Sequence, residues 1–546
     1  MWEISFIIVL TAGSPTGELI PEGNTTDIEI VALYPNTIHQ GNDGEFIVVS
    51  IPERTNLSGW LFLDDGIQSA KPPPIETEGV VAFSHHPALV EGYLDMPVYQ
   101  LEGWLQLAVD GETVTLEIDG IPVDSVGYDT RAPRANLWIR DESDPWVPLS
   151  ATTFDPAADS ASVTTFVLPD SPTAVIEVLD SSTERIYLGG YELGDEILTD
   201  ALIEAAARGL EVAVHAEGRP VGGITKPYAN ALDALVEADI PVTVHRGPYA
   251  RYGYHHPKYI IADDRLLVTT ENFKPAGTGG QASRGWAVVI ESAKLADEAA
   301  AVFHADSDWR DAIDWDEVRD ELNRHVVDPA NGSYPEEHPP SAHEQIKTTL
   351  IVAPDNAEEA LRELLASAED SIHIKQVSIS DPDFPLLAEA IDRARSGVSV
   401  KILLADRWYV RDENRELAKT LDHIAEAEGL DIEVALVDRT STFDRIHAKG
   451  IVVDDRAAAV GSINWNNHSL RNNREVAVIL EGESVADYFI EVFEADWPAT
   501  TTDRWTLPIA FLIAALAAAG LVGEHARRLH LVGVDAQEKE RFTQPD

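Results

Sequence analysis

The stretch RIHAKGIVVDDRAAAVGSINW, residues 445–465, decides the fold. It sets His447, Lys449 and Asp454 in the spacing HxKxxxxD, with Ser462 and Asn464 behind them and Glu475 further on. Side chains alternate along an extended segment, so His447 and Lys449 point to one face. Ile451, Val452 and Val453 are an unbroken apolar run, the pattern of a strand covered on both faces. An ammonium beside a neutral imidazole can hold an anionic phosphate while the ring offers its lone pair. One HxK pair on a strand is more often accident than catalyst. This chain carries the pattern twice. HPKYIIADDRLLVTTENF, residues 256–273, places His256, Lys258 and Asp263, then Thr270 and Asn272. Core packing does not explain two copies of one polar pattern inside buried-type strands.

Around these stretches the order of elements also repeats. Before the first copy come a strand in ERIYLGGYEL, a helix in ILTDALIEAAARG ended by Gly209, a strand in LEVAVHAEG, a helix in YANALDALVEAD and a strand in IPVTVHRG. Before the second copy the same alternation runs from residue 358 to 437. Each copy is followed by a buried-type strand and a helix, and the endings VFHADSDW and VFEADW match. A repeat of about 170 residues argues for duplication, with both HxK strands facing one cleft. His215, inside a strand, reads as a core histidine, and RPVGGIT lacks the spacing of a nucleotide-binding loop.

The paired motifs resemble the phospholipase D superfamily over roughly residues 170–500. That resemblance implies two α/β halves with one histidine from each at a shared site. It implies attack on phosphorus by one histidine, a covalent phosphohistidine, and proton transfer by the other. Lys258 and Lys449 would clamp the phosphate oxygens with Asn272, Asn464 and the hydroxyls of Thr270 and Ser462. Glu475 would hold the His447 ring, and Asp263 and Asp454 would fix the turn after each strand. Aligning GWAVVI on EVAVIL sets Gly285 where Glu475 stands, which leaves His256 without its expected carboxylate. Lysine beside each histidine is the wrong ligand set for a cation, so neither metal nor cofactor is expected. The resemblance implies a phosphodiester substrate, with phospholipids the leading reading and a membrane-anchored extracellular nuclease the alternative. A non-catalytic binding protein is the weaker alternative, because His256, Lys258 and Asn272 are all retained.

Composition adds a setting. The 546 residues carry a net charge of −54, with 11 Lys against 29 Arg and no Cys. Apolar residues at 44% exclude a disordered acidic chain, and the charge fits a surface adapted to molar salt, where like charges barely repel. A halophilic, haloarchaeal-type source is expected. Disulfides, thiolate metal sites and a cysteine nucleophile are excluded. Residues 1–26 hold a short apolar run that resembles a secretion-signal core. Residues 27–129 read as short strands punctuated by Gly, Pro, Asn and Asp, and resemble the lamin-tail domain, an immunoglobulin-like sandwich. Residues 130–168 read as a linker, 169–325 as the first half, 326–345 as an exposed linker and 346–500 as the second half. Residues 507–523 are uncharged and apolar, with Trp505 before them and Arg527 and Arg528 after. A single transmembrane helix at 505–524 is expected, with a cytoplasmic tail at 525–546 and the catalytic region outside the cell.

Overall fold

The computed structural model describes residues 27–498, apart from 38–42, 66–67, 91–93, 95, 134–135, 141–144, 149–151, 153 and 248–249. The signal-like run, the expected transmembrane helix and the tail lie outside the described residues. Among those described, no helix is long and apolar enough to cross a membrane.

The apolar runs form one sixteen-stranded sheet that is symmetric about its middle. There Ala157–Leu168 pairs antiparallel with Ser341–Ala353. Outward on one side come Ser283–Glu291, Arg265–Thr269, Lys258–Ala262, Arg185–Gly190, Glu211–Glu217 and Val242–His245. On the other side come Glu475–Glu481, Ala457–Gly461, Gly450–Val453, Ser371–Gln376, Ser399–Ala405 and Ile432–Val437. The last three strands of each series are parallel and linked by helices. The HxK strands run antiparallel to them, Lys258 opposite Gly190 and Gly450 opposite Lys375. Both motifs therefore enter the sheet at the end where the parallel strands finish.

Both middle strands begin in segments read from sequence as linkers. Their outer halves alternate buried and exposed residues and carry polar side chains, so composition hid them. The rest of the inter-half linker is docked as well. The Gly332 N–H donates to the Gln281 carbonyl at 3.1 Å, and Asp170 accepts the Glu337 and His338 N–H groups at 2.9 Å.

The helices Ala293–Ser307 and Glu483–Asp496 cover one face of the sheet. Their Phe303, Phe489 and Phe493 share one core with strand residues of both halves. Opposite, each half has its own core under its connecting helices. The shared core makes the two repeats one body. Two buried arginines reinforce the seam. Arg284 pairs with Asp170 of its own half and with Asp496 of the other half at 3.0 Å. Arg474 pairs with Asp355 of its own half at 3.1 Å and Asp306 of the other at 3.0 Å. Removing one member of a buried pair costs about 3–5 kcal/mol, because a charge is left without a partner. The aspartates Asp306 and Asp496 are those of the matched helix endings.

The N-terminal region is a β-sandwich of a six-stranded and a five-stranded sheet. Ile47, Val49, Val81 and Phe83 of the first pack on Trp60, Phe62, Val114 and Leu116 of the second. The other face of the six-stranded sheet is buried as well, in a second core of Tyr34, Phe46, Val48, Ala82 and Val90.

Candidate active site

Each HxK motif is pinned by the opposite half. The His256 N–H donates to the Arg474 carbonyl at 2.9 Å, and the His447 N–H to the Arg284 carbonyl at 3.0 Å. Arg474 and Glu475 are adjacent, so the Glu475 side chain emerges beside His256. Glu475 Oε2 accepts from His256 Nδ1 at 2.7 Å. This corrects two expectations: Glu475 does not hold His447, and His256 does not lack a carboxylate. His447 Nδ1 lies 3.1 Å from Oε2 of Glu271, a residue of the first half. The two orienting carboxylates are thus exchanged between halves.

Gly285 explains why Glu271 can serve. It occupies the strand position of Glu475, and a Cβ there would lie 2.3 Å from Glu271 Cγ. The empty glycine position is filled by the Glu271 side chain. The second half has the reverse arrangement, with Ile463 at the loop position and Glu475 on the strand. Sequence reading missed Glu271, although it sits between Thr270 and Asn272, where the second half has Ile463.

The lysines close the site. Lys258 Nζ lies 3.1 Å from His256 Nε2 and donates to the His256 carbonyl at 2.7 Å. Lys449 Nζ lies 3.2 Å from His447 Nε2 and donates to the His447 and Thr270 carbonyls at 2.7 and 3.3 Å. Both ammonium groups are buried. Burial, with repulsion from Lys449, holds Lys258 well below the usual lysine range. Burial brings Lys449 down to about 8, against the opposing pull of Glu271 and Glu475. Burial and the lysines lower His256 to about 4 and His447 to about 3, and the paired carboxylates oppose that shift. Both rings are therefore neutral in the free site, with Nδ1–H directed at a carboxylate and Nε2 carrying the lone pair.

Asn272 is buried and donates to Glu192 Oε2 at 3.2 Å, while Glu192 also pairs with Lys274. Asn464 is half-buried. The hydroxyls expected on the phosphate are otherwise engaged. Thr270 Oγ1 accepts the Trp286 N–H at 3.0 Å, and Ser462 Oγ accepts the Val476 N–H at 3.1 Å. Both residues are fully buried, and each hydroxyl oxygen ties a strand end to its neighbour. The Ser462 hydroxyl also helps hold Glu475 ionised. Asp263 and Asp454 sit at the far end of their strands. Asp263 accepts the N–H groups of Thr183, Glu184 and Arg185, and Asp454 those of Glu369, Asp370 and Ser371. Behind the site His215, His245 and His255 form a buried cluster, in which His215 Nδ1 meets the Thr243 hydroxyl at 2.8 Å. Among the described residues, no group of three or more His, Asp or Glu is placed to hold a metal ion.

A cavity of about 810 Å³ adjoins the site, walled by Glu192, Lys274, Arg445, Tyr334 and the docked linker. Arg445 lies two residues before His447.

The family model described as "Cardiolipin synthase, PLD-like domain" matches residues 175–309 and 361–497, one match per half. The chain belongs to the phospholipase D superfamily. It is similar to a phospholipase D of Rickettsia bellii (strain RML369-C), 33% identical over 136 residues, 24% of this chain and 63% of that protein. It is also similar to the mitochondrial cardiolipin hydrolase of Canis lupus familiaris, 34% identical over 61 residues, 11% of this chain and 24% of that one. The chain spans less than two thirds of the length of these relatives. A solved phosphatidylserine synthase of Haemophilus influenzae Rd KW20 is similar at 15% identity over 67% of this chain and 96% of that one, with a TM-score of 0.46.

The titrations set a pH window. A nucleophilic ring must be neutral, so activity falls as pH drops through the histidine values. Phosphate binding needs the Lys449 ammonium, so activity falls as pH rises through its value. We expect kcat/KM to fall below about 4 as His256 takes up a proton, to decline above it because His447 must gain a proton as the substrate binds, and to fall more steeply above about 8 as Lys449 loses its charge. A profile still rising at pH 9 would contradict the lysine assignment.

Proposed function

We propose that the protein cleaves or transfers phosphodiesters through a covalent phosphohistidine, with phospholipids as substrates. One observation carries this reading. Two neutral histidines, each with a lysine at Nε2 and a carboxylate from the opposite half at Nδ1, enter one sheet end from the two halves.

In this mechanism His256, whose carboxylate bond is the shorter, attacks phosphorus through Nε2. The bond from phosphorus to the leaving alcohol breaks, and His447 gives that oxygen its proton. The His447 proton is taken up as the anionic diester binds, since its charge raises the ring's affinity for a proton. Neutral His447 then removes a proton from water or an acceptor alcohol, whose oxygen attacks phosphorus and breaks the P–N bond. One group serves first as acid and then as base. Lys258, Lys449 and the amides of Asn272 and Asn464 face charge that builds on the non-bridging oxygens. The cavity beside Arg445 takes the alcohol portion. The names of the relatives, a phospholipase D and a cardiolipin hydrolase, support lipid over nucleic acid.

The purified protein in molar salt with EDTA should release phosphatidic acid from phospholipid vesicles. Cleavage of DNA or RNA alone, or a strict requirement for a divalent cation in the folded protein, would overturn the reading.

We read the N-terminal sandwich as a lamin-tail-like spacer or binding module, and the charge as halophilic. We place the catalytic region outside the cell, held by residues 505–524 with the arginines inside. Protease added to intact cells should remove the sandwich and both halves and spare a small C-terminal fragment. Full protection until lysis would place the catalytic region inside.

A further inference from the structure

Four buried polar residues of the first half stand where the second half is apolar. In the sheet Glu217 lies opposite His245, and the matching pair of the second half is Ala405 opposite Val437. His215 lies opposite Gly189, as Leu403 does opposite Lys375. His255 bridges to Arg474, as Ile446 pairs with Arg284. His215, Glu217, His245 and His255 are all buried, whereas Leu403, Ala405, Val437 and Ile446 belong to the shared apolar core. The sheet therefore closes without polar groups at these places. Burying polar groups costs desolvation, and apolar side chains in place of buried charged ones are often neutral or stabilising. Stability alone does not account for the polar set.

The contacts of this set lead to one catalytic ring. Glu217 Oε2 accepts the His255 N–H at 2.6 Å, and Oε1 accepts the Arg219 N–H at 2.6 Å. That carboxylate ties down the peptide just before His256. The His255 ring sits between the Gly190 carbonyl at 3.3 Å and Asp306 at 3.5 Å. Asp306 pairs with Arg474 at 3.0 Å, and the next residue in the chain, Glu475, accepts from His256. The contacts close into a loop. It runs from His256 to Glu475, along the backbone to Arg474, across to Asp306 and His255, and back along the backbone to His256. Around His447 the same loop is open. Ile446 brings no polar side-chain atom, and Asp496 pairs with Lys375 instead. The carboxylate on His447 is Glu271, which is not next to Arg284 in the chain.

We propose that Glu217 and His255 are positioning residues for His256 and make the first-half ring the nucleophile. Both act through other residues. Glu217 fixes the peptide that leads into the ring, and His255 braces the arm of Asp306, Arg474 and Glu475 that orients it. A nucleophile needs this bracing most, because a misplacement of about 1 Å can cost about a hundredfold in rate. The proposal rests on the phosphohistidine reading above.

The full chain is mixed rapidly with a soluble phosphodiester, quenched with base at short times, and its phospho-His256 counted by mass spectrometry. H255I carries the residue of the second half. It should slow adduct formation at least about tenfold, while the diester concentration that half-saturates the rate stays within about twofold. H255Q keeps a donor that reaches Asp306, and should recover the rate to within about threefold of the natural protein. E217Q loses one of the two N–H bonds and should slow the step as H255I does. It stands in for H255I should that variant not fold, as circular dichroism and thermal melting report. Unchanged adduct formation in the folded variants overturns the proposal. So does an equal fall in H255I and H255Q, or a fall matched by weaker diester binding, since either result makes the cluster only structural. An adduct on His447 in the natural protein overturns it too, and leaves phosphohistidine chemistry standing. Turnover with no adduct on either ring would instead overturn the phosphohistidine reading and this proposal together.

Discussion

His256→Ala and His447→Ala should each lower turnover of a soluble phosphodiester by about four orders of magnitude or more. Each ring performs a role the other cannot take over at the same moment, one bonded to phosphorus and one moving the proton. The double variant should be no worse than either single one, because residues acting as a unit are not additive. Folding should survive. The two side chains keep 12% and 24% exposure and belong to none of the cores, so their loss leaves no large cavity. Circular dichroism and thermal melting beside the assay separate lost chemistry from lost structure. Near-full activity in either variant would remove the shared two-histidine site from the account.

The second large effect concerns the relocated carboxylate. Glu271→Ile should cost about a hundredfold or more, since His447 loses the group that fixes its tautomer. It should also lower the His447 pKa further, because Glu271 now opposes the lowering caused by burial and Lys449. Gly285→Glu alone should also be harmful, because its Cβ meets the Glu271 side chain at 2.3 Å from Cγ. The double variant E271I/G285E copies the Ile463 and Glu475 arrangement of the second half. It should recover activity to within about tenfold of the natural protein, and the acid limb of the pH profile should return with it. Full activity of Glu271→Ile, or failure of the double variant to exceed both single ones in a folded protein, would show that Glu271 does not position His447.

Much of this was legible in sequence, and the residues show why. The HxK strands were readable because alternation and apolar runs are local. The duplication was readable because it preserves order and endings. Asp263 and Asp454 were expected to fix the turn after their own strands; each instead gathers three N–H groups of the segment that leads into the neighbouring strand. The carboxylate exchange was not readable, because alignment compares each half with itself. Only the antiparallel pairing of Ala157–Leu168 with Ser341–Ala353 brings Arg474 and Glu475 beside His256. The same pairing hid the arginine clamps, whose partners lie more than a hundred residues away. Thr270 and Ser462 serve strand ends, a second use of a hydroxyl near a site that local sequence does not show.

The central claim is a phosphohistidine formed in a site shared by the two halves, and trapping it is the most direct test. The full chain turning over a soluble diester is quenched with base, which preserves phosphoramidates, and its peptides are weighed by mass spectrometry. The expected result is one phosphoryl-containing adduct per chain, on His256, absent from His256→Ala and still formed at a low level in His447→Ala. Turnover with no adduct on either histidine, or an adduct on another residue, would contradict the account.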